Sequence, residues 1–245
     1  MGVRLICLGM GYVFGLFQTS YILGRMHGID IRNYGSGNAG TTNMMRTMGT
    51  KAGLITFAGD CLKCVLAIFL VCLLFGKRYS EMLPLLKLYA AAGVILGHNF
   101  PFYLKFRGGK GIAATAGLLI GFDWIMMICG AVTFFGIFFA THYVSLGSLL
   151  IYAGFLIELI VLGQCGHFQM SQALLNEMYV VAALLTIMAY WKHRTNIGRL
   201  LNGKESKRIF HPSINMRKNK RRYLYGKDWY YRSWKLGNRV IPPLL

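Results

Sequence analysis

The chain has 245 residues, of which 55% are hydrophobic and only 14% are charged, and its mean hydropathy is +0.46. This composition excludes a disordered chain and is too apolar for an ordinary soluble domain. The 27 Lys and Arg residues outnumber the 8 Asp and Glu residues and give a net charge of +19, but long apolar stretches separate the basic residues. The pattern therefore indicates an integral membrane protein rather than a soluble nucleic-acid-binding protein.

Apolar stretches suited to membrane helices recur along the chain. The stretch 112–140 is too long for one upright helix, so we divide it at Asp123. Cys61 and Cys64 form a C-x-x-C pattern inside a predicted helix, beside Lys63, which disfavours a zinc or redox site. We predict an all-α polytopic fold with seven transmembrane helices, at about 4–23, 53–75, 84–101, 112–122, 124–140, 146–163 and 177–191.

The basic residues predict the orientation of these helices. Seven helices place the two termini on opposite sides of the membrane, and only Arg4, Lys77 and Arg78 fall on the N-terminal side. The other basic residues outside the helices lie in the remaining loops and the C-terminal region. The positive-inside rule then predicts an external N-terminus, a cytoplasmic C-terminus and three polar, glycine-rich segments that converge on the cytoplasmic face.

The C-terminal region differs in composition from the rest of the chain. We divide the chain into a membrane domain, 1–203, and a basic tail with several aromatic residues, 204–245. Basic and aromatic side chains together favour binding to the surface of a membrane with anionic lipid. Nucleic acid is not expected as a partner, because the tail is tethered to a membrane protein.

The first polar segment extends from Gly35 to Arg46. Its alternating glycines allow positive φ angles, so that backbone N–H groups can point at a common anion, and its short polar side chains and arginine supply further donors. This chemistry suits a phosphate; the alternative is an ordinary glycine-rich connection. The candidate ligands are Ser36, Gly37, Asn38, Gly40, Thr41, Asn43 and Arg46.

The second polar segment, 97–111, ends in a lysine among glycines at the start of a predicted helix. Gly108, Gly109 and Gly111 flank Lys110, which combines free backbone N–H groups, the positive end of a helix dipole and an ammonium. No Ser or Thr follows Lys110 to hold magnesium, so a nucleotide triphosphatase is not expected. The alternative interpretation is the basic charge common on the cytoplasmic face of membrane proteins.

The third polar segment, 192–200, follows the last predicted span. His193, Asn196 and Arg199 are spaced three apart and share one face if the helix continues through them. The alternative is a basic helix end anchored among lipid headgroups, which does not explain Asn196. Ser145 precedes the sixth predicted span, and its hydroxyl reaches the same side of the membrane.

Asp60 and Lys63 are ionisable residues that share a face of the second predicted span. Because charged groups are costly in lipid, we expect the two to form an ion pair inside the bundle and to support the site structurally. Polar loops together with such a pair would also suit a transporter of a phosphorylated solute. No internal repeat relates the two halves of the chain, which disfavours that alternative.

The three segments together resemble the bacterial acyl-phosphate:glycerol-3-phosphate acyltransferases, the PlsY family. The resemblance covers about residues 1–205 and includes Asp60 and Lys63. Two features depart from the family pattern, namely Arg107 where Lys is usual and the long basic region after Glu205. The matching motifs are Gly35–Asn43, Gly97–Pro101 with Phe106–Gly111, and His193-x-x-Asn196-Ile197 with Arg199, Leu200, Gly203 and Glu205.

The resemblance implies a multi-pass acyltransferase of the bacterial cell membrane with its active site at the cytoplasmic face. It implies transfer of a fatty acyl group from acyl phosphate to the sn-1 hydroxyl of glycerol 3-phosphate, giving lysophosphatidic acid and phosphate in the first step of phospholipid synthesis, with no metal and no cofactor. Either His193 or a substrate phosphate would accept the hydroxyl proton.

The resemblance also implies roles for individual residues. The catalytic group would be His193, Asn196, Lys110 and Arg46; substrate binding would fall to Ser36, Gly37, Asn38, Gly40, Thr41, Asn43, Gly108, Gly109, Gly111, Ser145 and Arg199; and Asp60, Lys63 and Glu205 would give structural support.

Overall fold

A computed structural model of the protein describes residues 1–207, and that part of the chain is helical with no β-strand. The predicted lipid-binding tail therefore lies almost entirely outside the described residues. Short 3-10 turns occur at Ile31–Asn33, Ser80–Met82 and Phe102–Leu104. The α-helices are α1 (Gly2–Gly15), α2 (Thr19–Met26), α3 (Thr41–Met48), α4 (Thr50–Phe75), α5 (Leu83–Asn99), α6 (Ile112–Phe122), α7 (Trp124–Thr141), α8 (Val144–Gln164), α9 (Gln172–Lys192) and α10 (Arg194–Leu201).

Six helical stretches among the described residues are long and apolar enough to cross a membrane. The predicted division at Asp123 is confirmed: α6 ends there, and the Asp123 carboxylate caps α7 by accepting hydrogen bonds from the N–H groups of Ile125 and Met126. However, α6 has only 11 residues. A helix of that length extends about 16 Å, roughly half the hydrocarbon thickness of a bilayer.

The first predicted helix, 4–23, is wrong in one respect, because it is interrupted between α1 and α2. The break leaves backbone carbonyls at the end of α1 and in the break itself without helical partners, and buried side chains bind them. Gln18 and Lys63 donate to the carbonyl of Gly15, the last residue of α1, at 3.3 and 3.4 Å, and Lys63 also donates to the carbonyl of Phe17 at 2.7 Å. Polar side chains thus make an irregular backbone tolerable in an apolar interior.

Glycines bring α1 into close contact with α5. A Cβ atom added at Gly11 would lie 1.9 Å from the Ala90 carbonyl oxygen, and one added at Gly93 would lie 2.1 Å from that of Leu8. Backbones can approach this closely only where side chains are absent. The contact fixes the end of α5, where the second polar segment begins.

The ion pair predicted between Asp60 and Lys63 is present on α4. The Lys63 Nζ lies 2.9 Å from Asp60 Oδ1, and both side chains are buried. Thr19 of α2 donates to the same Asp60 oxygen at 3.0 Å. The pair therefore joins α4 to the interrupted first helix inside the bundle.

Candidate active site

The three polar segments surround one cavity of about 330 Å³ at one end of the helix bundle. Side chains from all three line it, although they are far apart in sequence. The predicted site residues that line the cavity are Ser36, Asn38, Gly40, Thr41, Asn43, Arg46, Asp60, Lys110, Gly111, Ser145, His193, Asn196, Arg199 and Glu205.

Asn43 holds the first polar segment in shape. Its side-chain oxygen accepts a hydrogen bond from the Ser36 N–H at 2.8 Å, and its amide nitrogen donates to the carbonyls of Ile31 and Tyr34. Gly35 has φ of +58° and passes so close to Asn43 that an added Cβ would lie 2.3 Å from the amide oxygen. The buried amide of Asn43 is thus committed to the loop and positions Ser36 at the cavity.

The end of α5 holds the second polar segment. Gly108 and Gly109 donate their N–H groups to the carbonyls of Asn99 and His98, at 3.3 and 3.1 Å. Gly111, with φ of +83°, then turns the chain into α6. These contacts direct Lys110 into the cavity, where its Nζ donates a hydrogen bond to the side-chain oxygen of Asn196.

The third polar segment does not continue the last long helix as a single rod. The helix ends at Lys192 and α10 begins at Arg194, with His193 at the junction, yet His193 and Asn196 are both buried against the cavity. The His193 Nδ1 lies 2.8 Å from the Ala189 carbonyl oxygen, so this nitrogen carries the hydrogen and Nε2 keeps a lone pair. Burial lowers the pKa of His193 to about 4, so the ring is neutral near pH 7.

Glu205 joins three side chains of the cavity. One carboxylate oxygen accepts hydrogen bonds from Ser145 at 3.0 Å and from Asn196 at 2.8 Å, and the other accepts from Arg199 Nε at 2.6 Å. Burial opposes ionisation of Glu205, but these hydrogen bonds outweigh it and lower the pKa of the carboxyl group. Because Lys110 also binds Asn196, one network links a carboxylate, an amide and an ammonium.

The cations of the cavity are partly desolvated and repel one another. Burial is the main cause that lowers the pKa of Lys110 to about 8, and the positive charge of Arg199 adds to it. Burial likewise lowers the pKa of Arg46. A bound anion would relieve this repulsion, so the cavity suits ligands with phosphate groups.

One wall of the cavity is apolar. Leu54 and Phe57 of α4 face three phenylalanines of α7, and Phe134 and Phe138 stack on each other with ring centroids 6.4 Å apart. Leu54, Phe57 and Phe135 of this wall are themselves exposed on the outer surface of the bundle, and Phe139, which stacks on Phe135, is 69% exposed. The cavity thus adjoins lipid beside its cationic half. The phenylalanines are Phe134, Phe135 and Phe138.

Some predicted ligands lie outside this cavity, and some lining residues were not predicted. Gly37, Gly108 and Gly109 do not line it; the last two support Lys110 from behind. His98 and Ser148 line it without having been selected. The spacing of Phe134 and Phe138, one helical turn apart, is the sequence signal that could have revealed the apolar wall. Among residues 1–207, no three His, Cys, Asp or Glu side chains cluster as a possible metal site.

Known proteins share this sequence and fold. The model of the family described as glycerol-3-phosphate acyltransferase matches residues 5–203. The glycerol-3-phosphate acyltransferase of Clostridioides difficile (strain 630) is 39% identical over 200 residues, covering 81% of this chain and 92% of that protein. The enzyme of the same name from Alkaliphilus metalliredigens (strain QYMF) is 36% identical over 206 residues, covering 84% and 96%.

Crystal structures of PlsY, an integral membrane glycerol 3-phosphate acyltransferase, are also similar. The glycerol 3-phosphate form has a TM-score of 0.70 at 28% identity, covering 83% of this chain and 94% of that chain. The lysophosphatidic acid form has a TM-score of 0.69 at 26% identity, with the same coverage.

The helical bundle and its half-cationic, half-apolar cavity define a multi-pass membrane protein with a site for amphipathic, anionic ligands. The chain belongs to the glycerol-3-phosphate acyltransferase family, the PlsY family. It is thus an acyltransferase of the integral membrane type, and the activity of this family is the acylation of glycerol 3-phosphate in phospholipid synthesis.

Proposed function

We propose that the protein transfers a fatty acyl group from acyl phosphate to the sn-1 hydroxyl of glycerol 3-phosphate. The hydroxyl oxygen bonds to the acyl carbonyl carbon, and the bond between that carbon and the phosphate oxygen breaks. The hydroxyl proton passes to a phosphate oxygen. The products are lysophosphatidic acid and inorganic phosphate, so that no cofactor is consumed.

The division of the cavity into a cationic half and an apolar half is the observation that carries this proposal. Both substrates bear a phosphate, and Arg46, Lys110 and Arg199 can hold two anions close enough to react. The phenylalanines of α7 offer a surface for the acyl chain beside them. An acyl phosphate is an activated mixed anhydride, so the protein needs to supply binding and orientation more than covalent catalysis.

The lowered pKa of His193 favours a substrate phosphate as the proton acceptor. Its Nε2 can accept a hydrogen bond from the attacking hydroxyl and orient it, because Nδ1 donates to Ala189. With a pKa of about 4, however, His193 is a poor base. A phosphate group has its second pKa near 6 and holds a proton better. His193 therefore orients the nucleophile while the phosphate takes its proton.

The contacts at the opposite end of the bundle support seven membrane crossings, with α6 as a short, protected one. There Arg4 of α1 pairs with Glu177 of α9 at 2.6 Å, and Asp123, which follows α6, pairs with His167 after α8 at 2.7 Å. With Lys and Arg concentrated at the site end, we orient the N-terminus outside and the cavity toward the cytoplasm of a bacterial cell membrane. The tail would then contact anionic lipid of the same face.

An assay with the purified full-length protein tests the proposal. We expect lysophosphatidic acid and phosphate in equal amounts from acyl phosphate and glycerol 3-phosphate, and no product when acyl-CoA replaces acyl phosphate. The 1-acyl isomer is distinguished from the 2-acyl isomer by chromatography at low pH, where acyl migration is slow. Product from acyl-CoA alone would overturn the assignment of the donor.

A transporter of a phosphorylated solute is the second candidate, supported by the buried Asp60 and Lys63 pair next to the cavity. Liposomes loaded with labelled glycerol 3-phosphate separate the two functions. Efflux without acyl transfer would favour transport, whereas acyl transfer without efflux is the result we expect.

A further inference from the structure

A buried histidine that has no role in the reaction above lies at the cavity. His98, near the end of α5, is 2% exposed and lines the cavity next to the glycine–lysine loop. A Cβ atom added at Gly109 would lie 2.0 Å from His98 Nε2, so this nitrogen lies directly against the loop that carries Lys110. Within residues 1–207, Nε2 has no hydrogen-bond partner, whereas Nδ1 has one.

Lys63 fixes the tautomer of His98. The Lys63 Nζ lies 2.9 Å from His98 Nδ1, and it also donates to Asp60 and to the carbonyl of Phe17. An ammonium group can only donate, so Nδ1 must accept and the ring hydrogen must be on Nε2. The Asp60 carboxylate is 3.7 Å from Nδ1, too far for a competing hydrogen bond. His98 therefore presents an N–H donor at the cavity.

The charge of this cluster indicates which part of a ligand it contacts. The positive charge of Lys63 and the negative charge of Asp60 cancel, and His98 is neutral, so the cluster does not attract phosphate in the way that Arg46 and Lys110 do. A neutral donor suits an uncharged oxygen. The reacting C1 hydroxyl is assigned to His193, which leaves the C2 hydroxyl of glycerol 3-phosphate.

We propose that His98 is a specificity residue that donates a hydrogen bond from Nε2 to the non-reacting C2 hydroxyl oxygen of glycerol 3-phosphate, with Lys63 and Asp60 as positioning residues behind it. The proposal rests on the proposed function for the identity of the substrate. It assigns to the buried ion pair a task beyond stability, because the pair determines which nitrogen of the ring carries hydrogen.

Equilibrium binding of two ligands to the purified full-length protein tests this contact. Glycerol 3-phosphate is compared with 3-hydroxypropyl phosphate, which has the phosphate and the terminal hydroxyl but no C2 hydroxyl. The wild-type protein should bind glycerol 3-phosphate roughly 3- to 10-fold more tightly, as one neutral hydrogen bond provides. In His98→Asn, which lacks a donor at the Nε2 position, this preference should vanish through weaker binding of glycerol 3-phosphate alone.

Two further variants separate the contact from a structural role. His98→Gln can place an amide N–H near the Nε2 position and should keep part of the preference. His167→Asn makes the matched substitution at the opposite end of the bundle and should leave both affinities unchanged. Equal weakening of both ligands in His98→Asn would show a structural role and overturn the proposal.

The comparison of the two ligand affinities in the wild-type protein does not depend on the folding of any variant. Equal affinity of the wild-type protein for the two ligands would overturn the proposal without any mutant. Acyl transfer is measured in parallel on the same preparations. If the protein transfers acyl groups but its preference for glycerol 3-phosphate does not depend on His98, this inference alone is wrong. If the preference depends on His98 but no acyl group is transferred, the proposed reaction is wrong and the binding contact stands.

Discussion

Lys110 is held where its own positive charge is destabilised. Burial and the nearby Arg199 lower its pKa to about 8, and no carboxylate among residues 1–207 binds it directly, since Asn196 stands between it and Glu205. The amine of Lys110 is protonated and cationic below its pKa, and it loses its proton as the pH rises through that value. The positive charge of Lys110, which we propose binds phosphate, is therefore present near pH 7 and is lost in mild alkali.

We predict that kcat/KM for glycerol 3-phosphate decreases above about pH 8, because kcat/KM reports the ionisation of the free enzyme. In Lys110→Arg, the side chain stays protonated at every accessible pH, so the residual activity should lack this alkaline decrease. Rates are measured from pH 6 to 10 with the donor concentration checked at each pH. An unchanged alkaline limb in Lys110→Arg would assign the ionisation to another group.

Substitution of His193 distinguishes orientation from base catalysis. We predict that His193→Gln, whose amide can still bind a hydroxyl, lowers kcat by no more than roughly 10-fold, since loss of a general base typically costs 10²- to 10⁴-fold. His27→Gln is the matched control, because His27 is exposed and does not line the cavity. A loss near 10⁴-fold in His193→Gln with normal glycerol 3-phosphate binding would instead identify His193 as the base.

The sequence allowed us to predict which polar residues line the cavity more fully than which contacts each of them makes. Arg46, Lys110 and Asn196 were predicted from charge and spacing, and all three line the cavity. Sequence alone does not show that the Asn43 amide is bound to its own loop, because that contact depends on the positive φ of Gly35. His98 escaped selection for a similar reason: its partner Lys63 is 35 residues away on another helix.

At the scale of the helices, glycines determine how closely α1 and α5 approach. We predict that Gly93→Ala destabilises the protein by about 1–3 kcal/mol, the usual cost of overpacking, since the added methyl group would meet the Leu8 carbonyl. Gly136→Ala on α7 is the matched control: no atom lies within 4 Å of its added Cβ, and alanine favours a helix. Thermal unfolding in detergent, followed by intrinsic fluorescence, measures both.

The turnover of the two glycine variants should differ in the same direction as their stability. Gly93→Ala should also reduce turnover, because α5 carries the carbonyls of His98 and Asn99 that hold the glycine–lysine loop. Gly136→Ala should retain wild-type turnover. Equal stability of the two variants would mean that α1 can move away from α5 at little cost.

Hydropathy located the helices well, but it did not predict how they are interrupted. The stretch 53–75 corresponds to α4, and the stretch 146–163 to α8, within a few residues. The break between α1 and α2 was missed, because Leu16 and Phe17 are as apolar as their neighbours. Gln18, Lys63 and Tyr103 bind the carbonyls at the break, and these contacts exist only in the folded bundle.

At the scale of the whole molecule, the end of the membrane domain completes the site. Glu205 lies just beyond the predicted boundary at 203, yet its carboxylate binds Ser145, Asn196 and Arg199. Removing Glu205 would leave the buried donors of Ser145 and Asn196 without this acceptor and would increase the repulsion among the cations. The predicted boundary at 203 follows the change in composition, whereas we expect activity to require the chain as far as Glu205.

Two truncations test this distinction. We predict that a chain ending at Phe210 keeps turnover within roughly threefold of the full-length protein. A chain ending at Gly203 lacks Glu205, and its turnover should fall by roughly 100-fold or more, because hydrogen bonds to a charged group contribute about 1.5–3 kcal/mol each. Both are assayed in detergent, after thermal unfolding has shown that each is folded. Vesicles with and without anionic lipid then test the tail separately. If the tail binds the membrane surface, anionic lipid should stimulate the chain ending at Phe210 less than it stimulates the full-length protein. A chain ending at Phe210 that is folded but inactive would contradict the prediction and would place part of the catalytic site in the tail.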